Sequence, residues 1–458
     1  MNIENIESIY FIGAGGIGMS NLERYFLSKG KRVAGYDRVE TPLTMQLIKE
    51  GVAIHYEDST TLIPDYCKDK THTMVVYTPA IADTNSELSY FRSNGFRVLK
   101  RAQLLGEITL ASKGLCVSGT HGKTTTSSML AHLLKQSSVD CNAFLGGILK
   151  NYDSNLMLSS SSPYTVIEAD EFDRSFHWLH PYMAVITAID ADHLDIYGTK
   201  EEVVKSFEHF TSLLAPDGVL LIKKGLDLQV KAPESTKVFH YSMSEKADFY
   251  ADKIQIGHGK IIFDFVSPSG VVKDVELGVP VKINIENAVA AMALAQLCGV
   301  TGDEMRNAMR TFAGAKRRFD IHVRRNNVVY LDDYAHHPAE VKACVESVRA
   351  LYPDKRITGI FQPHLYTRTR DFADEFAQAL SLLDDIILME IYPAREQPIP
   401  GVSSRLILDR IDRKEKVLCQ DEEVLDLVKS HDYDVLLTIG AGNIDRFIEP
   451  ITALLEKC

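Results

Sequence analysis

An α/β fold of three domains is predicted by the way short β-rich runs and helical stretches alternate along the chain. The alternation starts near residue 8, restarts at "GLCVSG" (114–119), and restarts again from "RRFDIHVRRNNVVYLDDY" (317–334). Each time it has the βαβ rhythm of a mainly parallel sheet covered by helices. A chain of 458 residues has room for roughly two to four domains. The simplest division places a Rossmann-like N-terminal domain over 1–106, a central P-loop ATPase-like domain with a mainly parallel sheet over 107–314, and a C-terminal Rossmann-like domain over 315–458.

In the first segment "SIYFIG" and "RVAGYD" read as strands around the helical "GMSNLERYFLSKG", and "TMVVYTP" is followed by the helical "NSELSYFRSNG". In the second, "GLCVSG" leads into a helix near 123–136. "YTVIEAD" and "YMAVITAID" are further strands, and "EEVVKSFEHFTSLL" is a helix. Between about 237 and 280 alternating strands with glycine turns take over, as in "KIIFDFVSPSGVVKDVEL", before the strongly helical "INIENAVAAMALAQLCGV". The third segment adds the strands "RITGIFQPH", "DIILMEIYP" and "DVLLTIGAG".

Composition narrows the function classes. Hydrophobic residues make up 45% and charged residues 24%, ordinary for a soluble globular protein. A formal net charge of -12 argues against a nucleic-acid partner, because phosphate neutralisation needs clustered Lys and Arg. The seven cysteines, at 67, 116, 141, 298, 344, 419 and 458, contain no C-x-x-C pair, so reduced thiols and a cytoplasmic location are expected. "MNIENIESIYFIG" lacks the basic start and long apolar core of a signal peptide. No apolar run approaches the roughly 18 residues of a spanning helix, so no membrane insertion is expected. Nothing in the sequence points to an obligatory protein partner.

Gly13, Gly15 and Gly18 in "IGAGGIGMS" fit G-x-G-x-x-G between a strand and a helix, and Asp37 ends the next strand. Such glycines let a diphosphate approach the backbone, and the helix N-terminus offers it free N–H groups. The turn is compatible with any diphosphate, so a nicotinamide dinucleotide and a UDP-sugar both remain open, alongside a plain packing turn.

"SGTHGKTTTS" (118–127) resembles a phosphate loop with contracted spacing. Gly119 stands three residues before Gly122, where a Walker A loop has five. The strand-loop-helix context is nonetheless the one a phosphate site needs. Lys123 is placed to reach terminal phosphates and the Thr124 hydroxyl to join a Mg²⁺ shell. A loop lysine is expected to carry little packing. Glu168 ends "YTVIEAD" and His193 follows "YMAVITAID"; strand ends of this kind face ligand crevices in α/β proteins. Read alone, a capping Glu and a surface His compete with a Mg²⁺ site. Likewise Asn284 and Asn287 of "NIEN" suit helix capping, and Arg317 and Arg318 suit linker charges. "LDDYAHHP" and "FQPHLYTRTRD" each place polar side chains after a strand: Asp333, Tyr334 and His336, then His364, Arg368 and Arg370.

"GTHGKTTT" resembles the ATP loop of the Mur ligases of bacterial cell-wall synthesis, in which the contracted spacing is normal. "FIGAGGIGMS", "EADEFDRSF", "DADHLDIY", "KRRFD", "DDYAHHP" and "FQPHLYTRTRDF" follow that family's order along nearly the whole chain. The resemblance implies ATP and Mg²⁺ as cofactors, and UDP-N-acetylmuramate and L-alanine as the molecules joined. It implies that Gly119, Thr120, His121, Gly122, Lys123, Thr124 and Thr125 hold the ATP phosphates and that Thr124, Glu168 and His193 hold the metal. Asn284, Asn287, Arg317, Arg318 and Asp333 fall to the nucleotide, with Ile283 standing where the family has His. Lys123, Glu168, His193 and Arg318 form the implied catalytic set. Gly15, Gly16, Gly18, Met19, Ser20, Asp37 and Thr78 correspond to the UDP-sugar site. Tyr334, His336, His364 and Arg368 correspond to the amino-acid site, with Leu365 where the family often has Arg. The rival readings are a recycling ligase that joins a whole tripeptide to the same sugar nucleotide, an NAD-dependent oxidoreductase using the glycine turn, and a non-catalytic nucleotide sensor.

Overall fold

The computed structural model describes residues 3–456 apart from 79–80, 191–193, 395 and 414; the side chains of residues 4, 17, 194 and 195 are also outside the description. The chain divides into two compact units. One comprises Met1–Gly147, Ser154–Tyr250 and Asn287–Met305; the other comprises Ile148–Asp153, Ala251–Glu286 and Arg306–Cys458.

The first unit holds two sheets. The N-terminal sheet has five strands in the spatial order Ala53–His55, Arg32–Tyr36, Ser8–Ile12, Thr73–Tyr77, Arg97–Lys100, all parallel. Every residue of Ser8–Ile12 is buried, as a central strand covered on both faces requires. The chain leaves this strand in one direction and returns to its other side at Thr73–Tyr77. The strand order therefore reverses at Ser8–Ile12, and its C-terminal end, where the glycine turn begins, opens onto the crevice where doubly wound sheets place ligands.

In the second sheet Lys113–Ser118 lies between Tyr164–Glu168 and Met183–Ile186, parallel to both. Val117 is level with Glu168 and Ser118 with Ile186. The loop Gly119–Gly122 thus emerges with Glu168 on one side and Thr187 on the other. The helix after it runs from Lys123 to Lys135, within a residue of the expected span. Two strands beyond Tyr164–Glu168, Asn142–Leu149 and Ser154–Met157, have no counterpart in the sequence reading. Their Gly, Ser and Asn content hides the β pattern, and pairing of Asn142–Phe144 with Thr165–Ile167 supplies what propensity does not.

The second unit contains the hairpin Lys260–Ser267 with Gly270–Glu276 and a six-stranded sheet. The order of that sheet is Asp320–Arg324, Val329–Asp333, Val435–Ile439, Ile357–Phe361, Asp385–Met389, Lys416–Cys419. Only the first strand is antiparallel to its neighbour. The last strand in sequence, Val435–Ile439, is fully buried in the middle. The ends of Val329–Asp333 and Ile357–Phe361 flank it, so the two segments that follow them come out at the same edge.

Candidate active site

The contracted loop is supported from inside. Gly119 and Gly122 have φ of +137° and +80°, backbone states that L side chains rarely adopt. A Cβ on Gly119 would lie 2.1 Å from the Thr187 hydroxyl oxygen. That hydroxyl donates to the carbonyls of Ser118, at 3.1 Å, and His121. The Thr120 N–H donates to the Ala188 carbonyl at 3.0 Å, and the Thr120 hydroxyl accepts from the Asp190 N–H at 3.1 Å. The His121 imidazole is exposed, with Nε2 3.6 Å from Asp190 Oδ2. With the loop held this way, the N–H groups of the first helical turn, Lys123 to Thr125, are the donors that suit phosphate oxygens. Thr187 carried no signal in the sequence beyond its place at a strand end.

Glu168 accepts from the Thr124 hydroxyl at 2.9 Å and from the Gly146 N–H at 3.0 Å. The two oxygen donors expected to bind Mg²⁺ are therefore adjacent, and a hydroxyl with a carboxylate is the hard-oxygen chemistry that cation takes. Burial pushes the Glu168 carboxyl above its usual range, against the Thr124 and Gly146 hydrogen bonds. His193 lies outside the described residues. Among the described residues no cluster of three His, Cys, Asp or Glu side chains forms a metal site.

Lys123 departs from the expectation of little packing. Its ammonium sits 2.7 Å from both oxygens of Glu171, and only 14% of its side chain is exposed. Glu171 is completely buried. Burial raises its carboxyl, opposed by the charge of Lys123. Sequence reasoning missed Glu171 because "EADEFD" offers four acids and no way to tell which one points inward. Asn287 accepts from the Thr126 hydroxyl at 3.2 Å, and its Oδ1 would lie 2.8 Å from a Cβ on Gly122. Asn284, also buried, donates to the Val279 carbonyl at 3.2 Å. Ile283 is half exposed.

At the glycine turn Gly13 has φ +90° and Gly16 caps the helix Ile17–Ser28 without any side-chain acceptor. The Gly15 N–H donates to Asp37 Oδ2 at 2.6 Å, and the Val39 N–H to Oδ1 at 3.1 Å. A Cβ on Gly15 would lie 2.9 Å from Asp37 Oδ2. Met19 and Ser20 are buried in the first turns of the helix. The Thr78 methyl would lie 2.4 Å from a Cβ on Gly13, so this threonine backs the turn.

In the second unit the adjacent arginines have different fates. Arg317, with φ +63°, folds its guanidinium inward onto Asp332 Oδ2 at 3.1 Å and the Gly440 carbonyl at 2.6 Å, over the Tyr334 ring. Arg318 is exposed. Both Asp333 oxygens accept backbone N–H groups, from Phe319 at 2.7 Å and Ala335 at 2.8 Å. Burial still pushes that carboxyl up to about 6. Beyond the strand ends, the His336 and His364 rings lie 6.0 Å apart, His364 stacks on Tyr392, and the Arg368 guanidinium is 3.4 Å from His364 Nδ1. Burial first, then Arg368 and His336, hold the His364 imidazole below its usual pKa. Tyr334 is exposed with its ring 5.3 Å from that of His336. The four residues expected around an amino acid thus gather at one sheet edge.

A phosphate loop between two strand ends, a Thr–Glu oxygen pair and three mainly parallel sheets define a nucleotide-binding α/β enzyme. Models of the Mur ligase family catalytic domain, the Mur ligase middle domain and the Mur ligase glutamate ligase domain match residues 8–113, 117–295 and 317–442. The chain belongs to the Mur ligase family. It is 62% identical to the UDP-N-acetylmuramate–L-alanine ligase of Parabacteroides distasonis, over 100% of this chain and 99% of that one. It is 59% identical to the enzyme of the same name from Phocaeicola vulgatus, over 100% of both. The crystal structure of the UDP-N-acetylmuramate-alanine ligase of Thermotoga maritima matches with a TM-score of 0.76 at 26% identity, covering 98% of each chain.

Proposed function

We propose that this protein joins L-alanine to the lactyl carboxylate of UDP-N-acetylmuramate at the expense of ATP, as a cytoplasmic step of peptidoglycan synthesis. The observation that carries the reading is the pairing of Thr124 with Glu168 beside an intact phosphate loop, in a chain whose full-length relatives bear that activity in their names. The lactyl carboxylate attacks the γ-phosphorus of ATP and ADP departs. The alanine amine then attacks the acyl phosphate carbon and inorganic phosphate leaves. Little side-chain covalent chemistry is needed, so positioning and charge neutralisation dominate.

Lys123 and the loop N–H groups hold the terminal phosphates and offset charge on the transferring phosphoryl group. Thr124, Glu168 and His193 would hold Mg²⁺, which supplies charge neutralisation at the same phosphates. Arg318, exposed where Arg317 is tied down, is the member of the pair assigned to ATP. Asn284, Asn287 and Asp333 are assigned to the nucleotide, and the glycine turn to the UDP diphosphate. Tyr334, His336, His364 and Arg368 receive L-alanine, with the guanidinium on its carboxylate. Among the described residues no helix is long and apolar enough to cross a membrane.

The test is ADP release with UDP-N-acetylmuramate and each of L-alanine, glycine, L-serine and the tripeptide. L-alanine should be the best acceptor, with slow use of glycine and L-serine, because one methylene discriminates by only roughly ten- to two-hundredfold. Preference for the tripeptide would move the protein to the recycling reaction.

A further inference from the structure

A cavity of about 140 Å³ within the first unit reaches from Gly18 of the glycine turn to Glu168, the partner of Thr124. Its lining includes Gly18, Asn21 and Arg101 from the N-terminal sheet's helices and Gly146, Glu168 and Asp170 from the segments next to the phosphate loop's strand. Arg101 is the first residue of the helix Arg101–Leu110 and the single cationic side chain among those lining the cavity. Its guanidinium lies over the first turn of the helix Ile17–Ser28. A Cβ on Gly18 would sit 2.9 Å from Nη1 and 3.3 Å from Cζ. Among the described residues no carboxylate or carbonyl pairs with it.

A second observation marks the cavity as a place for a polar ligand. Asn21 is 3% exposed, yet among the described residues its Oδ1 has no hydrogen-bond partner. That oxygen takes a donor, which a hydroxyl or amide N–H of a bound ligand supplies and a carboxylate does not.

We propose that Arg101 pairs with the lactyl carboxylate of the sugar nucleotide and presents it towards the phosphate loop. This rests on the ligase reading above and adds a substrate-positioning residue to it. The chemistry of the walls decides which anion is held. Glu168 and Asp170 repel a carboxylate, so a carboxylate brought into this cavity requires a cation among the lining side chains, and Arg101 is that cation. The diphosphate is assigned instead to the start of the helix Ile17–Ser28, because the N–H groups of Gly13, Ala14, Gly15 and Gly16 in the turn itself are already bonded. The same cavity is lined by Glu168, hydrogen-bonded to Thr124, so a group held by Arg101 lies beside the site of phosphoryl transfer. A guanidinium fits a carboxylate through two parallel N–H···O bonds, which fixes its orientation as well as its position.

The test separates the carboxylate from the rest of the ligand. UDP-N-acetylglucosamine is the same nucleotide without the lactyl group. Calorimetry on the full-length protein should show UDP-N-acetylmuramate binding more tightly than UDP-N-acetylglucosamine. Arg101→Gln should weaken UDP-N-acetylmuramate by about 10- to 100-fold, the range of a charged hydrogen bond, and leave UDP-N-acetylglucosamine within about threefold. Arg101→Lys keeps the charge without the fork and should lose affinity for UDP-N-acetylmuramate by a smaller factor; it carries the same comparison if the Gln variant fails a melting check. Equal loss on both nucleotides would assign Arg101 to the diphosphate and overturn the proposal, as would no loss on either or a wild type that does not distinguish them. Failure of the wild type to ligate L-alanine would instead strike the ligase reading and leave this binding comparison standing.

Discussion

Removing the phosphate-loop lysine should cost stability as well as activity. Lys123 lies 2.7 Å from both oxygens of a Glu171 that has no exposure to water. Two charges at that distance attract by about 6 kcal/mol at an effective dielectric of about 20, before desolvation is subtracted. Removing one partner of a buried pair typically costs about 3–5 kcal/mol, because the survivor stays uncompensated. The orphaned Glu171 has a way out: its carboxyl is already raised by burial, and it can take up a proton. Lys123→Met should therefore destabilise by about 2–4 kcal/mol at pH 8 and by less at pH 6. Lys123→Met/Glu171→Gln should recover at least about 1.5 kcal/mol of that loss. Urea denaturation of wild type, both single variants and the double variant at the two pH values gives the cycle. ADP release should meanwhile fall about a hundredfold or more with Lys123→Met, the scale of a lost preorganised charge at phosphoryl transfer. A Lys123→Met protein as stable as wild type at both pH values would refute the account of the pair.

Three further outcomes are expected. Gly146→Ala places a Cβ 2.5 Å from both Glu168 oxygens. It should displace that carboxylate from Thr124, lower turnover by about tenfold or more, and shift the Mg²⁺ titration of ADP release to higher concentration. Arg368→Lys should raise the KM for L-alanine while changing the KM for ATP much less, because only the fork on the amino-acid carboxylate is lost; steady-state kinetics with each substrate varied reads the split. Glu87 accepts from the Tyr10 hydroxyl at 2.7 Å in a fully buried setting, and burial pushes its carboxyl up to about 7. The folded state therefore holds its proton more tightly than the unfolded chain, so this contribution to stability is present below about pH 4.5 and is lost as pH rises through about 7. Glu87→Gln should leave stability at pH 4.5 nearly unchanged and raise it at pH 8 by up to about 3 kcal/mol, measured by denaturant unfolding at both.

The three runs of alternating strand and helix, and both glycine-bearing loops, were legible because they depend on short-range chemistry. Periodicity, a strand before the loop and a helix after it are written contiguously at 8–28 and 113–135. What stayed hidden depends on which way a side chain points. Asp170 is exposed and Glu171 is buried against Lys123, though they are neighbours in one acidic run. Arg317 turns inward with its backbone at φ +63°, a state that nothing in "AKRRFD" announces, while Arg318 is exposed. Asp37 is recognisable as the acidic end of a strand, but not as the acceptor for the Gly15 N–H. Thr187 is an ordinary strand-end residue until the loop folds over it.

The place of Val435–Ile439 in its sheet has a consequence for synthesis. The loops bearing His336 and His364 follow strands that never touch each other; each pairs with this late strand instead. At ribosomal rates of about 5–20 residues per second, the stretch separating Phe361 from Val435 takes roughly 4–15 s to make. Throughout that interval both earlier strands present unpaired edges to the cell, the condition under which chains are captured by chaperones or by one another. A nascent chain released between residues 368 and 435 has every histidine and arginine assigned to the amino-acid site and lacks the strand that brings them together. The pocket proposed for the amino acid is thus completed only after residue 435, and premature termination or slow translation late in the message should yield chains that keep the phosphate loop but cannot use the amine.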